Sequence, residues 1–586
     1  MDSQENEHTN EEEPPPPLSS PLPPDLSTIS SEIDQYISSQ ESLPPDAPTI
    51  IEKFLMLVEE EMEPFDSTDA PLKWTRLKEE DASWFLRTTN RVSSLVKLLA
   101  EFRSDYKYAY TINRAGSVLH RAMSYLEGEF KAILEDHSKS PGSTADLTRV
   151  CSAMLRGGYQ DECCHVYFIV RRNALEEKIV QQGLENVSID DIHNKPWESL
   201  ERDIEVWIMK FTSFAKDEFP PERNLLDSVF AGDSDSSIPE ILLSALTCGI
   251  TKHILKFAEA VALTHRSPDK LFKYLTIYEA VRDVVAGIGA LLAQGVAPEL
   301  KNEALMIRSH LGEAMISILT ELENSIKNDH GKNPVPGGAV HPITTYIMNY
   351  LEFTAMYKDS LEQVYLEHQR LEATIAAAAA ASTVDAEGVV VSPFQAQILK
   401  IMDLLLSNLE DKSKFYKDTS LTSIFMMNNG RYMLKKIKKS GGLHSLLAET
   451  WYRKMSSDLR TYHKGYQRET WGKLLGFLNP EGLTGNNKHV KPLLKERFKN
   501  FNALFDDIRK TQTSWVISDE QLQSELRVSI SNMVVPAYRS FLARYSQIFS
   551  SGRQTEKYIK HQPDDVETAI EGLFSGTPAT SGKRKL

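Results

Sequence analysis

The residues of this sequence most able to carry chemistry are two adjacent cysteines followed by a histidine. Cys163 and Cys164 lack the two-residue gap that lets both thiolates reach one tetrahedral zinc ion, and no second pair complements His165. The only other cysteines are Cys151 and Cys248, too few for a disulfide scaffold. We therefore expect buried helix cysteines in a reduced, intracellular chain, and no metal site.

A glycine pair inside an apolar run is the second candidate. Gly287 and Gly289 begin a dinucleotide fingerprint, but Leu292 stands where the third glycine belongs and the preceding stretch reads as helix. A small-residue helix contact or turn explains the pair. Since a Walker loop, a G-x-S-x-G elbow and an H-E-x-x-H motif are also missing, we predict that the chain is not an enzyme and uses no cofactor.

Basic segments carry the positive signal. Residues 431–510 hold 18 Lys and Arg against 7 Asp and Glu, a net charge of +11. Lys557 and Lys560 share a helix face at i, i+3, before Asp564 and Glu567 start a last helix with a capping-box pattern. The basic segments are Arg431–Lys439, Lys488–Lys510, Lys557–Lys560 and Lys583–Lys585.

Such a charge excess indicates a polyanionic partner, although a solvated face and, for residues 435–439, a nuclear import signal are alternatives. Phe498, Phe501 and Phe505 lie on the apolar stripe of their helix, which disfavours stacking on single-stranded nucleic acid. An anionic membrane surface fits better, because each nearby Lys or Arg contributes about 1 kcal/mol of reversible binding.

The N-terminus has the opposite charge. Residues 1–63 hold 16 acidic residues and one Lys, and 12 of the 28 prolines lie in residues 1–71. Acidic, proline-rich sequence buries too little apolar surface to offset its ordering entropy, so we predict a disordered arm over residues 1–29. The alternative is a proline-rich ligand for a small adaptor domain.

The elements that position these residues are nearly all helices. Apolar residues recur at steps of three and four, as in Leu494, Phe498, Phe501, Phe505 and Ile508, with frequent stop signals such as Pro220-Pro221. The fold class predicted is all-α, an elongated rod of stacked antiparallel helical bundles. The longest apolar run, Val284–Leu292, is half a membrane span, so no integral membrane protein is expected.

Six long motifs stand out in the C-terminal half of the sequence. They are HPITTYIMNYL (341–351), FMMNNGRYMLKKIK (425–438), YQRETWGKLL (466–475), LKERFKNFNALFDDI (494–508), VPAYRSFLARY (535–545) and KYIKHQPDDVETAIEGLF (557–574). They closely resemble the seventy-kilodalton subunit of the exocyst, the complex that tethers secretory vesicles, and in particular its plant branch. Shorter matches at 197–208 and 338–342 extend the likeness to roughly residues 30–575.

The resemblance implies a peripheral membrane protein without catalysis. Its C-terminal bundle would bind phosphatidylinositol 4,5-bisphosphate, through lysines that align with Lys557 and Lys560. The neighbouring basic helix would add Lys491, Lys495, Arg497 and Lys499. The partners implied are other exocyst subunits and, in some lineages, Rho-type small GTPases, in the cytoplasm and at the plasma membrane, with no nucleic acid.

Two departures from the family pattern stand out. Gly430-Arg431 predicts a looser join within its helix. Residues 1–29 cannot form the long N-terminal helix by which other members join the exocyst core. The alternative function is therefore a regulatory adaptor acting outside the assembled complex.

The helix stop signals along the sequence predict how the chain divides into domains between the disordered arm and a tail of residues 576–586. It places helical bundles at 30–195, 196–337, 338–510 (with a loop at 376–393) and 511–575.

Overall fold

The computed structural model describes residues 24–39, 44, 46–65, 72–140, 142–184, 188–231, 237–376, 392–447, 449–483, 487–549 and 557–576. Over these ranges the regular structure is helical, apart from one isolated antiparallel bridge between Val516 and Ser575. The all-α class predicted from the apolar spacing is confirmed. The chain divides into two compact units: unit 1 is residues 1–264 with 277–308, and unit 2 is residues 265–276 with 309–586.

The helices of unit 1 precede residue 265, and two further helices contribute residues to both units. Unit 1 contains α1 (Pro24–Ser39), α2 (Ala47–Met62), α3 (Glu79–Ala100), α4 (Ala109–Lys139), α5 (Ala145–Gly157), α6 (Gln160–Gln181), α7 (Ile189–Asn194), α8 (Trp197–Val229) and α9 (Ser237–Ala262). The two shared helices are α10 (Leu271–Leu291) and α11 (Pro298–Asn328).

Unit 2 holds the remaining helices, with short 3₁₀ turns between several of them. They are α12 (Pro342–Thr354), α13 (Lys358–Ala376), α14 (Pro393–Ser413), α15 (Thr419–Lys439), α16 (Gly441–Leu446), α17 (Glu449–Tyr466), a π-helical turn (Gln467–Gly472), α18 (Lys473–Gly476), α19 (Asn487–Gln512), α20 (Glu520–Tyr545) and α21 (Pro563–Glu571). The 3₁₀ turns of the two units are Glu63–Phe65, Trp74–Arg76, Tyr106–Tyr108, Pro268–Lys270, Pro336–Gly338, Ala355–Tyr357 and Ser546–Phe549.

Helix α1 begins inside the predicted arm. Its first residue is Pro24, and Leu26 and Ile29 are buried, with α1 packed against α2 and α3. Proline is tolerated in a first helical turn, where its missing N–H would have no partner, so the arm boundary predicted at residue 29 is wrong. Residues 1–23 lie outside the described residues.

Helix α8 continues through a proline pair. The sequence predicts a stop at Pro220-Pro221, but α8 is unbroken there. The next residue, Glu222, is buried and accepts hydrogen bonds from the Arg171 guanidinium (Nη2–Oε2 2.7 Å) and the Tyr167 hydroxyl (2.8 Å). These contacts fix this turn against α6, so tertiary packing overrides the proline signal and the predicted stop is wrong.

By length and composition, helix α9 is apolar enough to cross a membrane. It does not contain the longest uninterrupted apolar run of the sequence, so the length of such runs does not reveal it. Its apolar residues are interrupted by single polar ones such as Ser244 and Thr247. In the structure, 56% of its most apolar window is buried, and α9 packs against α6, α7 and α8. This is the environment of a core helix.

One hydrophobic core joins the C-terminal helices of unit 2. Its buried side chains come from α15, the end of α17, the π-helical turn and α18–α21, and include Trp471, Phe501, Tyr538 and Val566. The domain boundary predicted between residues 510 and 511 falls inside α19 and cuts this core, so that boundary is wrong. Helical spacing shows which face of a helix is buried but not which helices share a core.

The other predicted boundaries, at 195/196 and 337/338, stay predictions. Helix α13 ends at Ala376 and α14 begins at Pro393, so the ends of the predicted 376–393 loop coincide with helix ends. Residues 377–391 of that loop and residues 577–586 of the predicted tail lie outside the described residues.

Candidate functional site

Helix α19 separates an apolar stripe from a basic flank. Leu494, Phe498, Phe501 and Phe505 are buried, as their spacing predicts. The Phe501 ring lies 4.7 Å from the ring of Tyr538 on α20, with the two planes 8° apart. This packing fixes the rotation of α19 and leaves its basic flank outside the core.

The segment of residues 557–562 lies directly on that flank. The Lys495 Nζ is 5.3 Å from the centre of the Tyr558 ring, within cation–π distance. The Asn502 Nδ2 donates a hydrogen bond to the Tyr558 carbonyl oxygen at 2.8 Å. On the other side, the Tyr538 hydroxyl donates to the His561 carbonyl oxygen at 2.9 Å. Two basic segments about 60 residues apart in the chain are therefore neighbours.

Five of the six predicted lipid-binding residues lie on these two segments with free charge. Lys499, Lys557 and Lys560 are exposed, and Lys491 and Lys495 are half-buried. Within the described ranges, none of the five ammonium groups forms an ion pair with a carboxylate. We call this set the basic surface: Lys491, Lys495, Lys499, Lys557 and Lys560.

Arg497, the sixth predicted residue, has a different role. It is half-buried, and its Nη2 donates a hydrogen bond to the Glu481 carbonyl oxygen at 2.6 Å. The same nitrogen lies close to Gly482, which has a positive φ of 82° and so needs glycine. Arg497 therefore anchors the connection before α19, and we leave it out of the basic surface.

The local geometry at Lys557 and Lys560 differs from the prediction. The helical turn ends at Tyr558, so the two lysines do not share a helix face at i, i+3. The capping box of α21 is formed by Gln562 and Asp565, not by Asp564 and Glu567. The prediction failed because the proline at the first position of α21 moves the N-cap to the residue before it.

Two carboxylates near the basic surface, those of Asp506 and Asp564, lie next to other charged or titratable groups. The Asp506 Oδ1 is 3.3 Å from the His561 Nε2 and 4.0 Å from the Arg509 Nη2. The Asp564 Oδ1 is 3.9 Å from the Arg539 Nη2. Neither carboxylate forms an ion pair with a lysine of the basic surface within the described residues.

The basic segment at the end of α15 is different, because its cations are largely paired. Arg431 lies 3.5 Å from both Asp519 and Glu525, and the Lys436 Nζ is 2.6 Å from Glu352. Burial by itself raises the pKa of Asp519, but the Leu522 N–H and the cations of α15 hold it below its usual value. Arg431, Lys435 and Lys436 therefore stabilise the fold, whereas Lys438 and Lys439 are exposed. Residues 583–585 lie outside the described residues.

Two buried asparagines, which sequence reasoning missed, explain the FMMNNG motif. The Asn428 Nδ2 donates to the carbonyl oxygens of Gly338 (2.7 Å) and Val516 (2.8 Å). The Asn429 Oδ1 accepts from the His341 N–H (2.9 Å) and the Thr344 hydroxyl (2.7 Å). A pair of asparagines between apolar residues of a predicted helix is the signal that could have indicated buried anchors.

The predicted cysteine and glycine candidates occupy helices. Cys163 is buried with its Sγ 3.6 Å from the Sγ of Cys151, and this contact together with burial raises the pKa of its thiol. The thiol is therefore protonated at neutral pH. The part of the chain that the structure describes contains no group of three His, Cys, Asp or Glu side chains able to hold a metal ion. Gly287 and Gly289 lie inside α10.

Two family models match separate segments of this chain. The C-terminal family model of the Exo70 exocyst complex component matches residues 205–572, a range that contains the basic surface. This chain belongs to the Exo70 family of exocyst proteins. The Exo70 N-terminal family model matches residues 54–136, so both parts of the family pattern are present.

Plant Exo70 proteins resemble this chain over most of its length. Exocyst complex component EXO70C2 of Arabidopsis thaliana is 43% identical over 96% of this chain and 87% of its own length. EXO70C1 of the same plant is 41% identical over 86% of this chain and 85% of its own length. EXO70B1, also of that plant, is 33% identical over 91% of this chain and 90% of its own length. The predicted family and its plant branch are confirmed.

Solved structures show the same fold. Exo70 of S. cerevisiae has a TM-score of 0.59 at 14% identity, covering 91% of this chain and 99% of the yeast chain. Another Exo70p structure, reported together with the Exo84p C-terminal domains, has a TM-score of 0.58 at 15% identity and covers the same shares of both chains. The identity is low, so this likeness concerns the fold alone.

Proposed function

We propose that this Exo70 chain binds phosphatidylinositol 4,5-bisphosphate at the plasma membrane through the basic surface, and so helps the exocyst to tether secretory vesicles there. The contact between Lys495 and Tyr558 is the observation that supports this proposal most directly. It joins the lysines of α19 to Lys557 and Lys560, so that one headgroup or a few adjacent ones can meet both segments.

Charge alone would provide the binding energy. Each Lys near an anionic bilayer contributes about 1 kcal/mol, so five lysines give useful affinity that salt weakens. The aromatic side chains next to these lysines, Phe498 and Phe501, are buried in the core and unavailable for insertion into lipid, and the exposed Leu493 is a single aliphatic side chain. Binding is therefore peripheral and reversible. Exo70 relatives are named as exocyst components, and we extend assembly with other exocyst proteins to this chain on that basis.

Liposome sedimentation tests the proposal. Changing Lys557 and Lys560 to alanine removes two exposed charges and should weaken binding to vesicles containing phosphatidylinositol 4,5-bisphosphate by about 2 kcal/mol, roughly 25-fold. Neither side chain is part of the core, so the melting temperature should not change.

The matched control is a double Lys256→Ala and Lys301→Ala variant, which makes the same charge change at exposed positions of unit 1. It should bind like the unaltered chain. Equal loss in both variants would show that net charge matters and the basic surface does not, and equal binding to neutral vesicles would also contradict the proposal.

A further inference from the structure

Two lysines of the basic surface lie on a short segment that has little regular structure of its own. The helical turn at its start ends at Tyr558, and residues 559–562 precede α21 without helical or strand structure. We call residues 557–562 the lysine segment. Whatever holds this segment decides where the charges of Lys557 and Lys560 lie.

Two buried side chains hold the backbone of the lysine segment. The Asn502 Nδ2 on α19 donates a hydrogen bond to the Tyr558 carbonyl oxygen at 2.8 Å. The Tyr538 hydroxyl on α20 donates one to the His561 carbonyl oxygen at 2.9 Å. Asn502 is 2% exposed and Tyr538 is fully buried, so neither donor is free to move with the segment. The backbone is therefore fixed on both sides of Lys560.

Side chains of the lysine segment are held as well, apart from those of its two lysines. Tyr558 and Ile559 pack against the hydrophobic core of unit 2. The His561 ring lies 5.3 Å from the ring of Phe505, and Gln562 caps α21. Both lysines remain exposed. They are thus carried by a backbone that is already ordered before any ligand arrives.

The fold alone does not require an asparagine at position 502. The Asn502 Oδ1 has no hydrogen-bond partner among the described residues. A buried amide with an unpaired oxygen is less favourable for folding than an apolar side chain of similar size. Tyr558, whose carbonyl oxygen the amide holds, is half-buried, so water can replace the amide as its partner. What Asn502 adds is the fixed position of the segment.

We infer that Asn502 and Tyr538 are positioning residues of the basic surface, an inference that rests on the proposed function. They order the lysine segment in advance, so that Lys557 and Lys560 meet the adjacent phosphates of one headgroup without first losing backbone freedom. A layer of separate single charges, as in phosphatidylserine, attracts the same lysines wherever they lie. The two residues therefore control the preference for clustered phosphates and not the attraction to negative charge in general.

Vesicle binding by a double variant, Asn502→Leu with Tyr538→Phe, tests the inference. Both changes keep a side chain of similar size and remove its hydrogen bond to the lysine segment, while every lysine remains. Sedimentation is compared for two kinds of phosphatidylcholine vesicle matched in surface charge, one containing phosphatidylinositol 4,5-bisphosphate and the other phosphatidylserine. The variant should bind the first about tenfold more weakly than the unaltered chain does, and the second equally well.

The matched control is Tyr416→Phe. The Tyr416 hydroxyl also donates to a backbone carbonyl oxygen in unit 2, that of Val335, at 2.8 Å. Its removal should leave the preference between the two vesicles unchanged. Lys557→Ala with Lys560→Ala removes charge, and should weaken binding to both kinds of vesicle.

Circular dichroism and the melting temperature of each variant exclude unfolding as the cause of a loss. If the double variant melts lower than the unaltered chain, the single Tyr538→Phe variant takes its place, because it keeps the ring that stacks on Phe501 and loses only the hydroxyl. It should reduce the preference in the same direction and to a smaller extent.

Soluble inositol 1,4,5-trisphosphate, added at the phosphate concentration of the vesicles, distinguishes a membrane headgroup from a free ligand. It should displace little of the unaltered chain, because a free headgroup does not supply the neighbouring lipids that the other lysines contact. Complete displacement would make the ligand a soluble inositol phosphate, contrary to the inference.

An unchanged preference between the two vesicles in the variants would overturn the inference and leave the proposed function intact. An equal loss on both vesicles would overturn it too, since the two residues would then support binding in general and not the position of the lysines. If the unaltered chain bound neither vesicle, the proposed function would fail, and this inference with it.

Discussion

Lysine side chains in unit 2 differ according to what their ammonium groups contact. Lys412 is buried and donates to the Asp329 carboxylate (3.0 Å) and to the carbonyl oxygens of Asp329 and Gly331. Lys557 and Lys560 are exposed and form no such contact within the described chain. The first arrangement holds a loop in place, and the second leaves charge available to a ligand.

The Lys412–Asp329 pair gives unit 2 a defined pH dependence. Burial by itself raises the pKa of Asp329, but hydrogen bonds from Lys412 and the Gly331 N–H hold it below its usual value near 3.8. A carboxyl group with a lowered folded-state pKa stabilises the fold above its unfolded pKa, and this stabilisation disappears as pH falls through the folded value.

The variant Asp329→Asn should therefore melt at a lower temperature than the unaltered chain at pH 6, with a loss of about 1–2 kcal/mol. The difference should shrink as pH falls below about 4. Differential scanning calorimetry across pH 3–6 measures both effects, with the exposed Asp359→Asn as control. A difference that is independent of pH would contradict this account.

Among the helices of unit 2, a single turn of α15 holds two connecting segments in place through hydrogen bonds. Asn428 bonds to the loop at Gly338 and to the segment at Val516, while Asn429 bonds to the residues that begin α12. Gly430 follows, and a Cβ there would lie 2.6 Å from Leu459 of α17. The join that the sequence predicts to be loose is thus a close helix contact, and α15 is continuous through it.

Asn428→Ala should destabilise unit 2 by about 1–3 kcal/mol, because the buried Gly338 carbonyl oxygen and the half-buried Val516 carbonyl oxygen lose their donor. Urea unfolding followed by circular dichroism would measure this as a lower midpoint. The exposed Ser457→Ala on α17 is the matched control and should change the midpoint little. A midpoint unaffected by Asn428→Ala would show that these two hydrogen bonds are dispensable.

Sequence reasoning succeeded for features that depend on local periodicity. The stripe from Leu494 to Phe505 predicts the buried face of α19 because side-chain direction in a helix follows from spacing alone. It failed at Pro220-Pro221 and at Lys557–Lys560, where distant residues decide whether the helix continues. Contacts such as Arg171 with Glu222 join positions far apart in the chain and leave no periodic signal.

At the scale of the whole molecule, charge is unevenly distributed along the chain. Net charge −16 is the sum of −15 in residues 1–63 and −1 in the rest. Within residues 431–510, some cations are paired in the fold, such as Arg431 and Lys436, while others are exposed on α19, such as Lys499, or on α15 and α17, such as Lys439 and Lys464. The sequence predicts the excess of cations, but only the folded arrangement distinguishes paired cations from exposed ones.

Our proposal requires that the lysines of α19 and those near Tyr558 bind the membrane as one surface. Liposome binding of a four-variant set tests it most directly: the unaltered chain, Lys495→Ala with Lys499→Ala, Lys557→Ala with Lys560→Ala, and all four changes together. Each pair should cost about 2 kcal/mol and the quadruple change about 4 kcal/mol, with raised salt weakening the unaltered chain most. If the α19 pair has no effect on binding, or if the quadruple variant binds phosphatidylinositol 4,5-bisphosphate vesicles as tightly as the unaltered chain, the basic surface is not the membrane contact.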